Sequence, residues 1–79
     1  GPAKRDKLGF KEQRELEALP ARIEALEVEV AGIQTQMADP RFYQGSGSDI
    51  SATRDRLGAL EEELAVAYAR WEALEASKG

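Results

Sequence analysis

Cysteine and histidine are both absent from this 79-residue chain. Without cysteine there is no disulfide and no thiolate metal site, and the composition fits a reducing compartment. Without histidine the commonest general base and the commonest transition-metal ligand are gone. No apolar run approaches the roughly 20 residues needed to span a bilayer. No secretory signal is visible, because the charged start at Lys4, Arg5 and Lys7 is not followed by an apolar stretch. Proline is limited to Pro2, Pro20 and Pro40, and the aromatics are Phe10, Phe42, Tyr43, Tyr68 and Trp71. No Gly-x-x-x-x-Gly-Lys-(Ser/Thr) phosphate loop occurs. Nothing pairs two carboxylates around a concave site, so no catalytic, cofactor or metal residue is assigned, and no pocket of ligand size is expected in so slight a fold.

What the chain does have is two apolar runs at heptad spacing. The first is Leu16, Leu19, Ile23, Leu26, Val30, Ile33 and Met37; the second is Ile50, Thr53, Leu57, Leu60, Leu64, Ala67, Trp71 and Leu74. Steps of three and four place each run on one narrow helical stripe. Asp39-Pro-Arg-Phe-Tyr-Gln-Gly-Ser-Gly-Ser48 lies between them and can fold one stripe back on the other. The pattern predicts an all-α fold: an antiparallel two-helix coiled-coil hairpin, monomeric because it satisfies its own stripe. Pairing residues whose numbers total 90 stacks Met37 with Thr53, Ile33 with Leu57, Val30 with Leu60, and Leu26 with Leu64. Ile23 then meets Ala67 and Leu19 meets Trp71.

Residues 1–9 read as a linker or lead-in, 10–76 as the hairpin domain and 77–79 as a tail. Gly1-Pro2 has the look of a cleavage scar, which implies a piece of a longer protein. Phe10 to Leu19 reads as a short helix packed near the base of the hairpin, with Trp71 and Tyr68 as anchors for Phe10 and Leu16. Pro20 removes a backbone donor and crowds the preceding turn, at about 3 kcal/mol inside a helix and far less in a first turn. The long first arm is therefore expected to start near Pro20 and end near Ala38, with a continuous helix through Pro20 as the alternative. Asp39-Pro40 ends that arm. Ser48 or Asp49 is expected to cap the second, which runs to about Ala76.

Charge is unevenly spread. The formal net charge is −4, but residues 1–22 carry six basic against four acidic residues, and residues 23–79 five against eleven. A polyanion would meet the N-terminal segment or a local cluster, not the whole surface. Lys4, Arg5, Lys7, Lys11 and Arg14 could neutralise phosphates; the competing reading is a solvated helix start. Arg41, Arg54 and Arg56 form a second basic group near the hairpin tip, offset by Asp39, Asp49 and Asp55. Phe42 and Tyr43 either cover the open hairpin end or stack on bases. Trp71 and Tyr68 follow the core spacing and are expected to pack, with Trp71 largely buried. Glu61-Glu62-Glu63 reads as a solvated face.

Three strings then stand out in order: Lys7-Leu-Gly-Phe-Lys-Glu-Gln-Arg-Glu-Leu-Glu-Ala-Leu-Pro-Ala-Arg-Ile-Glu-Ala-Leu-Glu27, Asp39-Pro-Arg-Phe-Tyr43, and Tyr68-Ala-Arg-Trp-Glu-Ala-Leu-Glu75. Together they resemble the C-terminal domain of Uup-type ABC-F ATPases over about residues 7–76. Gly9 stands where that family usually has serine. The resemblance implies a domain at the end of a cytoplasmic protein with two ATP-binding cassettes, which would hold ATP and magnesium outside these residues. It also implies a DNA-binding coiled coil, with RNA or the ribosome as other partners and no membrane. Its phosphate contacts would come from the basic residues named above. The alternative is a spacer or protein-interaction hairpin that positions the cassettes.

Overall fold

Apolar spacing and breaker residues set the element order. The computed structural model describes residues 8–78. Helix α1 spans Phe10–Ala38, a 3₁₀ segment spans Pro40–Gln44, and helix α2 spans Gly47–Ala76. α1 and α2 pack side by side and antiparallel, as an intramolecular coiled-coil hairpin. The molecule is a rod with extents of 62 × 16 × 16 Å, so its core is one seam and not a layered interior.

Helix ends follow local chemistry. At the start of α1, Glu12 reaches back and its Oε1 accepts from the Gly9 N–H at 3.0 Å, half of a capping box. At the far end, Asp39 leaves the helix in an extended conformation, as a residue before proline must. Its carboxylate then caps the 3₁₀ segment, accepting from the Arg41 N–H at 2.9 Å. α2 begins two residues earlier than a Ser48 cap, and three earlier than an Asp49 cap, would allow. Ser46 is its cap, with Oγ accepting from the Asp49 N–H at 3.1 Å. The Ser-x-x-Asp spacing explains the choice: the hydroxyl must sit three residues before the donor it satisfies.

Pro20 does not start a helix. α1 runs through it unbroken, so the short N-terminal helix is the first three turns of the first arm and not a separate element. Two facts account for this. Leu16, Leu19 and Ile23 lie on both sides of the proline in one heptad phase and are all buried. Pro20 itself is exposed, so its ring does not intrude on the seam. Continuous burial of three side chains outweighs one missing hydrogen bond.

The core is Leu16, Leu19, Ile23, Leu26 and Val30 from α1 with Leu60, Ala67 and Leu74 from α2. Leu8, Ile33, Leu57, Leu64 and Trp71 pack against it partly buried. Burial fades toward the tip, where Met37 and Thr53 are half-buried. Lettering Leu16, Ile23 and Val30 as a and Leu19 and Leu26 as d makes Leu57, Leu64 and Trp71 a, and Leu60, Ala67 and Leu74 d. The expected burial of Trp71 is only partial. An indole is too large for a two-helix seam and overhangs its edge. Leu60, at 1% exposed, is the most enclosed side chain.

Interhelical polar contacts confirm the register. Arg22 pairs with Glu63 at 2.9 Å, Arg56 with Glu29 at 2.9 Å, and Arg70 with Glu15 at 2.7 Å. All six residues are at g, and the numbers of each pair total 85. On the opposite edge Tyr68 Oη donates to Glu27 Oε2 at 2.6 Å; both are at e, and their numbers total 95. Such g–g and e–e pairing is what an antiparallel seam imposes when its layers total 90. Glu27 is thereby turned toward Tyr68 and not toward Glu61.

Two of these contacts carry a pH consequence. The Arg70 guanidinium, hydrogen-bonded to Glu15, holds that carboxyl below its ordinary value of 4.5. The Arg41 side chain, helped by the Arg41 backbone N–H, holds Asp39 below 3.8. A carboxyl depressed in the folded state contributes stability that is fully present above its unfolded value. That contribution is lost as pH falls through the lower folded value. The melting temperature should therefore fall below about pH 4.5, through the range set by those depressed values. Both side chains keep about two-fifths of their surface open to solvent, so the loss is small. Thermal melts of the chain and of Glu15→Gln across acid pH check this: the variant should show the shallower decline, and parallel curves would refute the assignment.

Candidate nucleic-acid interface

A hairpin rod has two ends and two flanks, and each carries different charge. Lys11 and Arg14 lie in the first two turns of α1, at the base of the rod. Both are exposed, and neither has a carboxylate partner among the described residues. The Arg14 guanidinium instead stands over the Phe10 ring, 5.6 Å from its centroid. Phe10 is 76% exposed and is not anchored by Trp71 or Tyr68. The reason is its phase. Phe10 falls at b, one residue off the stripe that carries Leu16, so the seam cannot reach it.

Arg41, Arg54 and Arg56 lie at the other end, and the structure gives them three different fates. Arg41 is clamped by Asp39, with Nη2 donating to Oδ2 at 2.6 Å and Nε to Oδ1 at 3.1 Å. That bidentate contact raises the arginine's already high pKa further and occupies its donors. Arg56 is tied across the seam to Glu29, not to Asp49 or Asp55. Arg54 is exposed and has no ion-pair partner among the described residues. The two basic groups are separated by the length of α1, about 40 Å at 1.5 Å per residue. They are two sites, not one. Lys4, Arg5 and Lys7 lie outside the described residues.

At the tip, Phe42 and Tyr43 meet edge to face, with centroids 5.0 Å apart at 86°. Phe42 is half-buried and Tyr43 is 51% exposed. Tyr68 is 39% exposed, and its bond to Glu27 raises its phenol above the ordinary 10.0.

The flanks differ as well. Along the e and b positions lie Glu17, Glu24, Glu27, Glu61, Glu72 and Glu75, with Arg54 as a lone arginine near the tip. The g flank is neutralised by the three arginine–glutamate pairs. Between two of those pairs runs an open groove of about 470 Å³, floored by Ala18, Leu19, Val66 and Ala67. A groove of this size was not expected. Its cause is the small Ala67 at a d position beside Ala18, which leaves the Ile23 layer underfilled. Glu15, Glu63, Arg22 and Arg70 at its rim are spent on one another, so no free acid–base pair converges there.

The arginines missed in reading the sequence are Arg22 and Arg70. Their heptad position was the available signal: g residues face g residues in an antiparallel seam. Among the described residues no group of histidine, cysteine or acidic side chains could hold a metal ion. The sequence has no glycine-rich phosphate loop, and the described residues have no acidic cluster, with which to hold ATP and magnesium. No described helix is long and apolar enough to cross a membrane.

Comparison with known proteins places this geometry. A family model described as the ABC transporter C-terminal domain matches residues 7–76. The ATP-binding protein Uup of Haemophilus influenzae is 44% identical over 72 residues, covering 91% of this chain and 11% of that protein. The ATP-binding protein Uup of Escherichia coli is 43% identical over 72 residues, again 91% of this chain and 11% of that one. The chain thus spans about a tenth of the length of these relatives. A solved structure described as the C-terminal domain of the Uup protein, a DNA-binding coiled coil motif, superposes with a TM-score of 0.83. It is 42% identical, and the match covers 90% of this chain and 84% of that one.

Proposed function

This chain belongs to the ABC transporter C-terminal domain family, and from that premise we propose that it is a DNA-binding accessory domain of an ATP-binding protein. ATP and magnesium would be handled by cassettes elsewhere in the longer protein, in the cytoplasm. The hairpin acts as a monomer, since its apolar stripe is spent within the chain. It holds nucleic acid through phosphate contacts without reading sequence.

The observation that carries this reading is the pair of unpartnered cations at the base. Lys11 and Arg14 are free to exchange condensed counterions for phosphates, with Lys4, Arg5 and Lys7 just before them in sequence. The seam arginines are occupied by glutamates. The acidic e and b flank repels a polyanion, whereas Lys11 and Arg14 stand off that flank at c and f. Arg54 at the tip is a minor second contact, and Arg41 and Arg56 contribute less because they are clamped.

The test is a binding titration of the chain with duplex DNA, single-stranded DNA and structured RNA at several salt concentrations. Binding should be weak, indifferent to sequence and steeply salt-dependent. Lys7, Lys11 and Arg14 changed together to glutamine should weaken all sequences alike. The salt slope should flatten by up to about three units if each residue meets a phosphate. Changing Arg41, Arg54 and Arg56 should matter less. An unaltered affinity and slope in the N-terminal triple variant would overturn the site. Absence of binding at low salt would favour a spacer hairpin that positions the cassettes.

A further inference from the structure

Phe10 is the most exposed large apolar side chain among the described residues, and nothing in the hairpin explains it. A phenyl ring 76% open to water is normally covered on folding or used in binding. It contributes nothing to the seam, because it stands at b. Its surroundings are also chemically specific. Arg14 stands over its ring and Lys11 adjoins it in sequence; both cations lack carboxylate partners. Two open depressions border the ring. One, of about 730 Å³, is bordered by Lys11, Glu12, Glu15 and Arg70; the other, of about 290 Å³, by Gln13, Arg14 and Glu17.

We propose that Phe10 and Arg14 form a stacking platform for an unpaired nucleobase, so that the base of the rod prefers single-stranded or frayed nucleic acid to closed duplex. This rests on the nucleic-acid reading above and extends it. A flat ring and a guanidinium plane can both stack on a base face, and every base has such a face, so the contact needs no sequence. Lys11 is placed to take the adjoining phosphate, the other half of a single-strand site. A paired base inside a duplex cannot present its face to the ring, and there the same residues offer only charge. The tip aromatics are a poorer platform: Phe42 is half-buried, Tyr43 is committed edge-on to it, and Arg41 beside them is clamped.

Phe10→Ala is the deciding variant, and it should fold normally because the ring is outside the core. The probes are a thymine-only single-stranded DNA, a uracil-only single-stranded RNA and a blunt duplex DNA, each titrated at one low salt concentration. Phe10→Ala should weaken binding of the single strands by about tenfold or more and leave the duplex affinity unchanged. Phe10→Trp should restore single-strand binding. A loss confined to the DNA or to the RNA strand would identify which source of unpaired bases the site accepts, and would still support stacking. Unchanged single-strand affinity in Phe10→Ala, or equal losses on single strand and duplex, would overturn the platform. The glutamine variants of Lys11 and Arg14 separate the two readings. If they weaken every probe while Phe10→Ala weakens none, phosphate binding stands and stacking fails. If wild type binds none of the probes, both fall.

Discussion

Leu60→Ala should destabilise the hairpin by about 2–5 kcal/mol, the range for removing an enclosed leucine. Leu60 is 1% exposed and sits opposite Val30 in the middle of the seam. The rod is too thin to collapse around the void, because each layer has only two side chains. A domain of this size rarely has more than about 3–5 kcal/mol of net stability from its core, so the variant should be largely unfolded at ordinary temperature. Trp71→Ala should cost less, since the indole is only half-buried. Val28→Ala is the matched control: Val28 is 66% exposed at an f position, and its loss should change stability by no more than about 0.5 kcal/mol. Urea unfolding followed by helical circular dichroism reads all three. A Leu60→Ala variant as stable as wild type would mean that the seam is not in this register.

Pro20→Ala should act in the opposite direction. Proline inside a helix is about 3 kcal/mol less favourable than alanine. Pro20 is inside α1 and exposed, so alanine would restore the hydrogen bond to the Leu16 carbonyl without disturbing a packed neighbour. Part of the gain is offset, because proline also restricts the unfolded chain, by about 0.4–1 kcal/mol. A net gain of about 2 kcal/mol corresponds to a melting temperature raised by roughly 10 °C in a domain of this length. A lowered melting temperature would show instead that the proline sets a bend on which packing of the first turns depends. The variant also separates stability from binding, since Lys11 and Arg14 lie on the turns before residue 20.

Much of this architecture was legible in the residues. Two stripes at three-and-four spacing and a proline–glycine loop between them point to an antiparallel hairpin, and layers totalling 90 run both stripes together along their length. No other register aligns both stripes along their whole length. The end of the first arm was legible too, because Asp39-Pro40 acts through its own backbone, whereas the cap of α2 is Ser46 and not Ser48 or Asp49. Three things were decided only by the packed structure. α1 continues through Pro20 because long-range burial of Leu16 and Leu19 overrides a local break. Trp71 stays half-open because a two-helix seam has no room for an indole. The candidate site was sorted in the same way. Composition counts Arg41, Arg54, Arg56, Lys11 and Arg14 alike as positive charges, but a charge is available to a partner only if no carboxylate holds it. Which carboxylate stands within reach depends on side chains brought together from 27 to 55 residues apart, as in Arg56 with Glu29 and Arg70 with Glu15. That is tertiary geometry, and it is what leaves Lys11, Arg14 and Arg54 without a carboxylate among the described residues, with Phe10 uncovered beside the first two.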